Sequence, residues 1–307
     1  MKGFNIFNSI RAKANRKSDS ISNISLIRSE GQTKVNSSEI KTLNILWLYP
    51  DIMNIHGGRG NIMGLFNMCN YLGIPVEIRR VDRLEDRIDW NWAHIVYITA
   101  GELNCVPSVI DALNRQKDDL EAFAKLNRTL IANGSSGAVL ADEIRYKDGR
   151  VIKGLGLLKM IWTERDSVWG DDIWVSADVY SNEEVSGSIE VIGNQIQVAD
   201  VELSEGQEPF GRLVYGRGNN GSLANGGSGF EGARRKNIIY TCVLGPLMTK
   251  NPLLAADLLL KAAEREGIEI KGVTGKEITE IFTDNTEGFE LESKSAECIK
   301  TFMKEKM

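Results

Sequence analysis

The segment that decides the fold is residues 129–139, which read TLIANGSSGAV. Its first four residues are a short apolar run of the kind that forms a buried parallel strand. The small residues 133–137 then predict a sharp turn, and a helix is expected after them. A small-residue turn between a buried strand and a helix is the geometry of a nucleophile elbow, which presents one side chain above a helix N-terminus. The segment therefore predicts an α/β fold with a candidate site at this turn.

Similar strand-and-helix units flank this segment on both sides. Strands are predicted at residues 43–49, 75–81, 93–99 and 238–243, and helices at residues 107–126 and 253–265. Apolar strands that alternate with helices are typical of a doubly wound, mostly parallel sheet, in which ligands bind at the carboxyl ends of the strands. We predict this α/β fold class for the chain.

The pattern changes in the second half of the chain. Short strand-like stretches at residues 173–179, 187–191 and 196–201 predict an antiparallel section. A glycine-rich stretch at residues 216–232 predicts an irregular loop at the surface or at a site. We divide the chain into an extension (residues 1–42), a main domain (residues 43–265) and a charged C-terminal appendage with a short helix (residues 266–307).

The extension differs in composition from the rest of the chain. Residues 1–42 hold eight Lys and Arg, three Asp and Glu, and eight Ser. Such a polar segment predicts disorder. Its basic, acid-free start also fits an organelle transit peptide, so that alternative localisation stays open.

The overall composition excludes several classes of protein. The 307 residues carry a formal net charge of −5, which gives no reason to expect nucleic-acid binding. No apolar run reaches the roughly 18 residues that a membrane-spanning helix needs. The four cysteines stand far apart without a C-x-x-C spacing, so we predict neither a zinc site nor a disulfide scaffold. We expect a cytoplasmic protein without a cofactor or a metal.

The residues at the turn do not form a familiar catalytic set. Asn133 carries an amide, which is not a useful nucleophile, and Ser135 would need a base. The chain has two histidines, His56 and His94, and neither is close to the turn in sequence. Cys105, near the end of the third predicted strand, is a possible thiol without an identifiable base. A plain turn followed by helix caps is the alternative interpretation of this segment.

Several short stretches together carry a resemblance to a known family. They are residues 48–55, 57–62, 154–158, 215–220, 231–233, 236–237, 245–247 and 250–252. In this order and spacing they resemble the cobyric-acid-synthase-type class I glutamine amidotransferases, and most of all the amidotransferase subunits of lipid II isoglutaminyl synthases. The resemblance spans roughly residues 43–262. It implies a flavodoxin-like fold.

The resemblance also implies a mechanism whose residues are missing here. In the family an elbow cysteine attacks the side-chain amide of glutamine, and a histidine before a Gly-Pro pair acts as base. Asn133 stands at the cysteine position, or Ser135 if the match is shifted by two residues, and Leu244 stands at the histidine position. The glycine-rich oxyanion region, here residues 100–105, is altered as well. We predict that the chain lacks glutaminase activity.

The resemblance implies a partner. In the family the amidotransferase pairs with a Mur-ligase-like, ATP-dependent subunit that amidates the glutamate carboxylate of the lipid II stem peptide. We interpret this chain as a non-catalytic partner or regulatory subunit of such an enzyme. Candidate substrate or partner contacts are Gly101, Gly134, Arg59, Asn61, Asn219 and Asn220. Two alternatives stay open: a hydrolase with a rebuilt site that uses Ser135 or Cys105, and a sensor that binds an amide without hydrolysing it.

Overall fold

The computed structural model describes residues 27–28, 41–178, 187–221, 223–225, 229–268, 270 and 290–307. The helices are α1 (Gly58–Tyr71), α2 (Val106–Asn114), α3 (Lys117–Lys125), α4 (Gly137–Leu140), α5 (Leu247–Lys250), α6 (Pro252–Arg265) and α7 (Glu290–Lys306). The strands of the first sheet are β1 (Ile27–Arg28), β2 (Leu43–Leu48), β3 (Val76–Val81), β4 (Ile95–Ile98), β5 (Thr129–Asn133), β13 (Ala233–Arg235) and β14 (Ile238–Thr241). The strands of the second sheet are β6 (Glu143–Arg145), β7 (Val151–Lys153), β8 (Met160–Asp178), β9 (Ser188–Leu203), β10 (Gly211–Arg217), β11 (Leu223–Asn225), β12 (Phe230–Glu231) and β15 (Val243–Leu244).

The first sheet confirms the predicted doubly wound topology. Its strands lie in the order β1-β3-β2-β4-β5-β14-β13, and the five central strands are parallel. Numbered along the chain, these five lie in the order 2-1-3-4-5, which is that of flavodoxin-like folds. Strands β2, β4 and β5 are buried along their whole length because helices and the second sheet cover both faces. The order reverses between β2 and β4, and a ligand site is expected at this switch point.

Two predicted helices differ from the observed ones. The helix predicted over residues 107–126 is two helices, α2 and α3, separated at Arg115 and Gln116. Gln116 leaves the helical conformation, and its side chain accepts a hydrogen bond from the Ile88 amide and donates one to the Asp86 carbonyl. The helix predicted after the Asn133 turn ends after four residues, at Leu140.

The antiparallel section is confirmed, but its strands are longer than predicted. The three short stretches predicted between residues 173 and 201 belong to β8 and β9, which have 19 and 16 residues and pair with each other. Residue 179 lies outside the described residues. Polar side chains hid this continuity in the sequence, since the buried Gln195 and Gln197 donate hydrogen bonds to the carbonyls of Arg217 and Gly218.

The glycine-rich stretch at residues 216–232 is not wholly irregular. Strands β11 and β12 lie within it, and both pair with β10. Residues 222 and 226–228 are outside the described part.

The chain changes sheets shortly before the Gly-Pro pair. The strand predicted to run to residue 243 leaves the first sheet after Thr241, and Val243 and Leu244 pair with β9 of the second sheet. This crossing carries Leu244 to the edge where β4 and β5 end.

The two ends of the chain are only partly described. Of the predicted extension, residues 1–26 and 29–40 lie outside the described residues, and β1 pairs with β3. In the C-terminal appendage, α7 buries Met303 in a small cluster with Trp174, Ile192 and Tyr215. None of the described helices is long and apolar enough to cross a membrane.

Candidate functional site

A cleft of about 480 Å³ lies at the carboxyl ends of the central strands. The loop after β2 contributes Ile55 and His56, and the loop after β4 contributes residues 101–104. These are the two loops that flank the switch point, so the cleft is where the topology predicts a ligand site. The second sheet closes its other side. The remaining lining residues are Ser135, Tyr146, Lys147, Asp148, Arg150, Glu164, Ile196, Val198 and Leu244.

The turn after β5 has a glycine at its apex. Asn133 is extended, with φ −131°, and Gly134 takes the left-handed conformation, with φ +63°. Asn133 is 2% exposed, and its Nδ2 donates a long hydrogen bond of 3.4 Å to the Val243 carbonyl. Its Oδ1 has no hydrogen-bond partner among the described residues. The side chain at the predicted nucleophile position is therefore packed beneath the turn and does not line the cleft.

Ser135 lies in the cleft, and its hydroxyl is fully engaged. Its Oγ donates a hydrogen bond of 2.6 Å to the Gly101 carbonyl and accepts one of 3.0 Å from the Gly101 amide. The hydroxyl hydrogen thus points to a carbonyl and not to a base, so the hydroxyl is not activated as a nucleophile. The neighbouring Ser136 is also internal, since its Oγ bonds to the carbonyls of Ile98 and Asn133.

Leu244 covers the apex of the turn. It is 2% exposed and lines the cleft, and a Cβ placed on Gly134 would lie 2.9 Å from its Cδ2. The position that the family resemblance assigns to a catalytic base therefore presents a hydrocarbon side chain, which can neither accept nor deliver a proton.

The two histidines lie in different places. His56 lines the cleft from an exposed loop, where it adopts a left-handed conformation with φ +55°. His94 precedes β4 and so lies at the opposite edge of the sheet, where its Nδ1 accepts a hydrogen bond from the Asn44 amide. Burial lowers the pKa of His94 more than the adjacent Glu266 carboxylate raises it. Only His56 is brought to the cleft.

Neither Cys105, the candidate thiol, nor Cys242, two residues before Leu244, lines the cleft. Cys105 is half-buried in the 3-10 turn that leads into α2. Cys242 is buried with its Sγ 2.9 Å from Tyr240 Oη, and burial raises the pKa of its thiol to about 12. A thiol in this state stays protonated and is a poor nucleophile.

Asn61 and Asn219 make hydrogen bonds that join parts of the fold. Asn61 is 1% exposed, and its Oδ1 accepts a hydrogen bond of 3.0 Å from the Met248 amide, which ties α1 to α5. Asn219 bonds to both the amide and the carbonyl of Gly232. The exposed Arg59 and Asn220 do not line the cleft either. Of the six candidate contacts, Gly101 lines the cleft and Gly134 lies directly beneath Leu244.

One wall of the cleft was not predicted from the sequence. The hairpin between β6 and β7 lies over it, and the Nζ of Lys147 is 3.4 Å from a carboxylate oxygen of Glu164 on β8. The ring of Tyr146 packs under the Arg150 guanidinium at 4.6 Å. The Asp-Gly pair at residues 148–149 predicts a hairpin turn, but the sequence does not show that this turn lies beside the cleft.

The cleft residues do not form a metal centre. Within the described ranges there is no group of three His, Cys, Asp or Glu side chains that could hold a metal ion. What the cleft offers is charged side chains, with Lys147 paired to Glu164, and the apolar side chains of Ile196, Val198 and Leu244.

The chain is similar in sequence to two proteins of related name. It is 26% identical over 249 residues to the lipid II isoglutaminyl synthase (glutamine-hydrolyzing) subunit GatD of Streptococcus pneumoniae (strain ATCC BAA-255 / R6), covering 79% of this chain and 91% of the relative. It is 23% identical over 233 residues to the subunit of the same name from Staphylococcus aureus (strain N315), covering 74% of this chain and 86% of the relative. No family model matches the chain.

Solved structures of similar shape include a glutamine amidotransferase, with 16% identity and a TM-score of 0.41 over 73% of this chain and 99% of that one. Another is the glutaminase domain of Trypanosoma brucei CTPS with bound acivicin, with 11% identity and a TM-score of 0.45 over 74% of this chain and 95% of that one.

Proposed function

The chain belongs to the glutamine-amidotransferase-like family, and we propose that it is a non-catalytic subunit of a lipid II amidating enzyme. The named relatives are subunits of lipid II isoglutaminyl synthase, which supports the assignment of pathway and of a partner. The partner we propose is a Mur-ligase-like, ATP-dependent subunit that activates the glutamate carboxylate. In this role the chain does not hydrolyse glutamine.

The double hydrogen bond between Ser135 and Gly101 carries this proposal. Hydrolysis of an amide requires a nucleophile with a nearby base, and backbone donors that are free to stabilise the oxyanion. At this turn the serine hydroxyl bonds to a carbonyl, and the Gly101 amide is already taken by that serine. The turn thus lacks an activated nucleophile, and the Gly101 amide is not a free donor.

The absence of the base strengthens the argument. Leu244 occupies the position of the family's histidine, and its side chain is buried against the turn. Nucleophile and base act as a unit, so the loss of one removes most of the rate and the loss of both leaves only residual catalysis. Asn133 at the family's cysteine position and Leu244 at its histidine position therefore both support a lack of glutaminase activity.

The rebuilt-hydrolase alternative is less well supported by the geometry. Ser135 would have to break its bond to the Gly101 carbonyl and find a base, and the one histidine at the cleft is the exposed His56. Cys105 would have to reach a cleft that it does not line.

A non-catalytic subunit can still support amidation. The Mur-ligase-like partner would activate the carboxylate with ATP and take up free ammonia, while this chain stabilises or regulates it. The proposal thus predicts that ammonium salts support amidation by the pair and that glutamine does not.

The test measures ammonia release from glutamine by the purified chain, alone and with a Mur-ligase-like protein from the same genome co-expressed. We expect no release in either case, and co-purification of the two proteins. Robust release by the wild type would overturn the proposal and turn attention to Ser135 and Cys105. Stabilisation of the chain by an amide, without release and without a partner complex, would favour the sensor instead.

A further inference from the structure

The crossing between the two sheets (residues 241–244) brings Leu244 to the cleft. Thr241 is the last residue of β14 in the first sheet, and Val243 and Leu244 form β15 in the second. Cys242 lies between the two ladders and is buried. A buried backbone amide outside the strands must find its hydrogen-bond acceptor elsewhere in the fold. The position of Leu244 therefore depends on what binds the crossing.

Glu231 of β12 supplies that acceptor. It is 1% exposed, and one carboxylate oxygen accepts a hydrogen bond from the Cys242 amide while the other accepts one of 2.8 Å from Thr241 Oγ1. The Thr241 hydroxyl in turn accepts a hydrogen bond of 3.1 Å from the Val243 amide. Burying a carboxyl group is costly unless hydrogen bonds compensate it. Here both of its oxygens are used on the crossing.

Glu231 is itself held by the loop after β10. The next residue, Gly232, has φ +67°, and a Cβ placed on it would lie 2.3 Å from the Tyr240 carbonyl oxygen. Asn219 binds this glycine on both sides, since its Nδ2 donates a hydrogen bond of 2.8 Å to the Gly232 carbonyl and its Oδ1 accepts one of 2.7 Å from the Gly232 amide. Asn219 thus fixes the backbone next to Glu231 against β14.

The far end of the crossing meets the turn after β5. Asn133 Nδ2 donates its long hydrogen bond to the Val243 carbonyl, and a Cβ placed on Gly134 would lie 2.9 Å from Leu244 Cδ2. A crossing that is released from Glu231 would therefore move the Leu244 side chain away from the apex of the turn.

We propose that Glu231 is the positioning residue for side chain 244, and that Asn219 holds Glu231 in place. The two residues belong to two of the stretches that carry the family resemblance, residues 215–220 and 231–233. The proposal gives these stretches a task at the cleft although neither residue lines it. It goes beyond the proposed function and does not depend on it, because it concerns the backbone that carries residue 244, whichever side chain stands there.

The contact between Leu244 and Gly134 gives a direct readout of this role. In the full-length chain with labelled leucine methyl groups, NMR should show an Overhauser effect between a Leu244 δ-methyl group and the Gly134 α protons. Glu231→Ala should abolish it. Glu231→Gln should keep it, because the amide oxygen can still accept a hydrogen bond from the Cys242 amide.

The thiol of Cys242 gives a second readout within the crossing. We expect Glu231→Ala to speed alkylation of this buried thiol by iodoacetamide at least about tenfold, because the crossing then opens more often. Peptide mass mapping measures the rate for each cysteine. Cys69 in α1, which is fully buried, is the internal control for general unfolding and should stay slow. Thr241→Val removes one of the two bonds to the carboxyl group and replaces Glu231→Ala if that variant does not fold.

A matched pair of asparagine variants tests the outer part of the support. Asn219→Ala removes both bonds to Gly232 and should weaken the Leu244 contact and speed Cys242 alkylation. Asn44→Ala removes a buried amide at the opposite edge of the sheet, where its Nδ2 donates a hydrogen bond to the Trp92 carbonyl. This variant should leave both readouts unchanged.

The outcomes decide the proposal independently of glutamine hydrolysis. A retained contact between Leu244 and Gly134 with unchanged Cys242 alkylation in Glu231→Ala would overturn it. Alkylation of Cys242 and Cys69 that rises together would show a general loss of the fold and would overturn it as well. Equal effects of Asn219→Ala and Asn44→Ala would remove the role given to Asn219. Ammonia release by the wild type would overturn the proposed function and leave this positioning role standing.

Discussion

The hydroxyl of Ser135 and the backbone of Gly101 bond to each other twice across the edge where β4 and β5 end. Oγ accepts from the glycine amide at 3.0 Å and donates to the glycine carbonyl at 2.6 Å. Backbone amides at such strand ends are the groups that bind ligand oxygens in α/β folds. Here the Ser135 hydroxyl binds the Gly101 amide, so this amide is not free to bind the oxyanion of a substrate.

Hydrogen exchange at the Gly101 amide should report this contact. We expect Ser135→Ala to speed exchange of this amide by about tenfold or more, because the amide then loses its buried acceptor. The measurement is native-state exchange followed by NMR or by mass spectrometry of the peptide that contains residue 101.

Ser136→Ala is the matched control for that experiment. Its Oγ bonds to the carbonyls of Ile98 and Asn133 and does not touch the Gly101 amide. We expect unchanged exchange at Gly101 in this variant. Equal acceleration in both variants would show general loosening of the turn, and no acceleration in either would contradict the role given to Ser135.

Restoring glutaminase activity should require Ser135 to be removed as well. We expect Asn133→Cys with Leu244→His to release ammonia from glutamine only feebly, because the Gly101 amide stays occupied. Adding Ser135→Gly should raise the rate by at least about 100-fold, the usual effect of one oxyanion donor. The measurement is steady-state ammonia release by the purified variants.

Ser136→Gly in place of Ser135→Gly serves as the control and should bring no gain. A double variant as fast as the triple one would contradict the blocking role of Ser135.

A separate variant tests which residue of the turn corresponds to the family's cysteine. Because Gly134 is the apex residue, we pair Gly134→Cys with Leu244→His. If ammonia were released only by the variant with Gly134→Cys and Leu244→His, residue 134 and not residue 133 would correspond to the family's cysteine.

The sequence predicted the parallel sheet well because parallel strands are buried on both faces. Each is a short apolar run that ends in small residues, and β2, β4 and β5 all lie where expected. It did not predict the length of β8 and β9, whose buried Gln195 and Gln197 read as surface residues. Their polarity is satisfied by backbone carbonyls of β10 and the loop after it, which come from later in the chain.

The candidate site was predictable in position and not in detail. The turn at residues 133–137 lies at the carboxyl edge of the sheet as expected. The sequence could not show that Ser135 bonds to Gly101, since the two residues are 34 positions apart. Nor could it show that the hairpin at Tyr146 closes the cleft, because that contact depends on how the second sheet packs on the first.

A close approach between α4 and β14 predicts a sensitive glycine. A Cβ placed on Gly137 would lie 2.1 Å from the ring of Tyr240, which is 1% exposed. Gly137→Ala should therefore lower the free energy of unfolding by about 1–3 kcal/mol in urea titrations, since the buried ring must move. Gly187→Ala, where nothing lies within 4 Å, should change it by less than about 0.5 kcal/mol. Equal destabilisation by the two substitutions would contradict the close approach of Gly137 to the Tyr240 ring.

A buried carboxyl gives the fold a pH dependence of known sign. Glu231 is 1% exposed, and burial raises its pKa to about 7, although it accepts hydrogen bonds from the Cys242 amide and from Thr241 Oγ1. In the unfolded chain its pKa is close to 4.5. The native state therefore holds this proton between these two values and the unfolded state does not. Its stabilising contribution is complete below pH 4.5 and is lost as the pH rises through 7.

Two groups give the stability a pH dependence of opposite sign, because the lowered pKa of His94 makes the stability fall as the pH decreases. Comparison of the wild type with Glu231→Gln separates the contribution of the Glu231 carboxyl from that of His94. We expect the unfolding free energy of the wild type, relative to the variant, to decrease by on the order of 2 kcal/mol between pH 5 and pH 7.5. Urea titrations across this range measure the difference. Glu205→Gln, at an exposed turn after β9, is the control and should leave the difference constant. A difference that grows with pH would show that hydrogen bonding to the carboxylate outweighs burial, so that Glu231 is ionised in the native state.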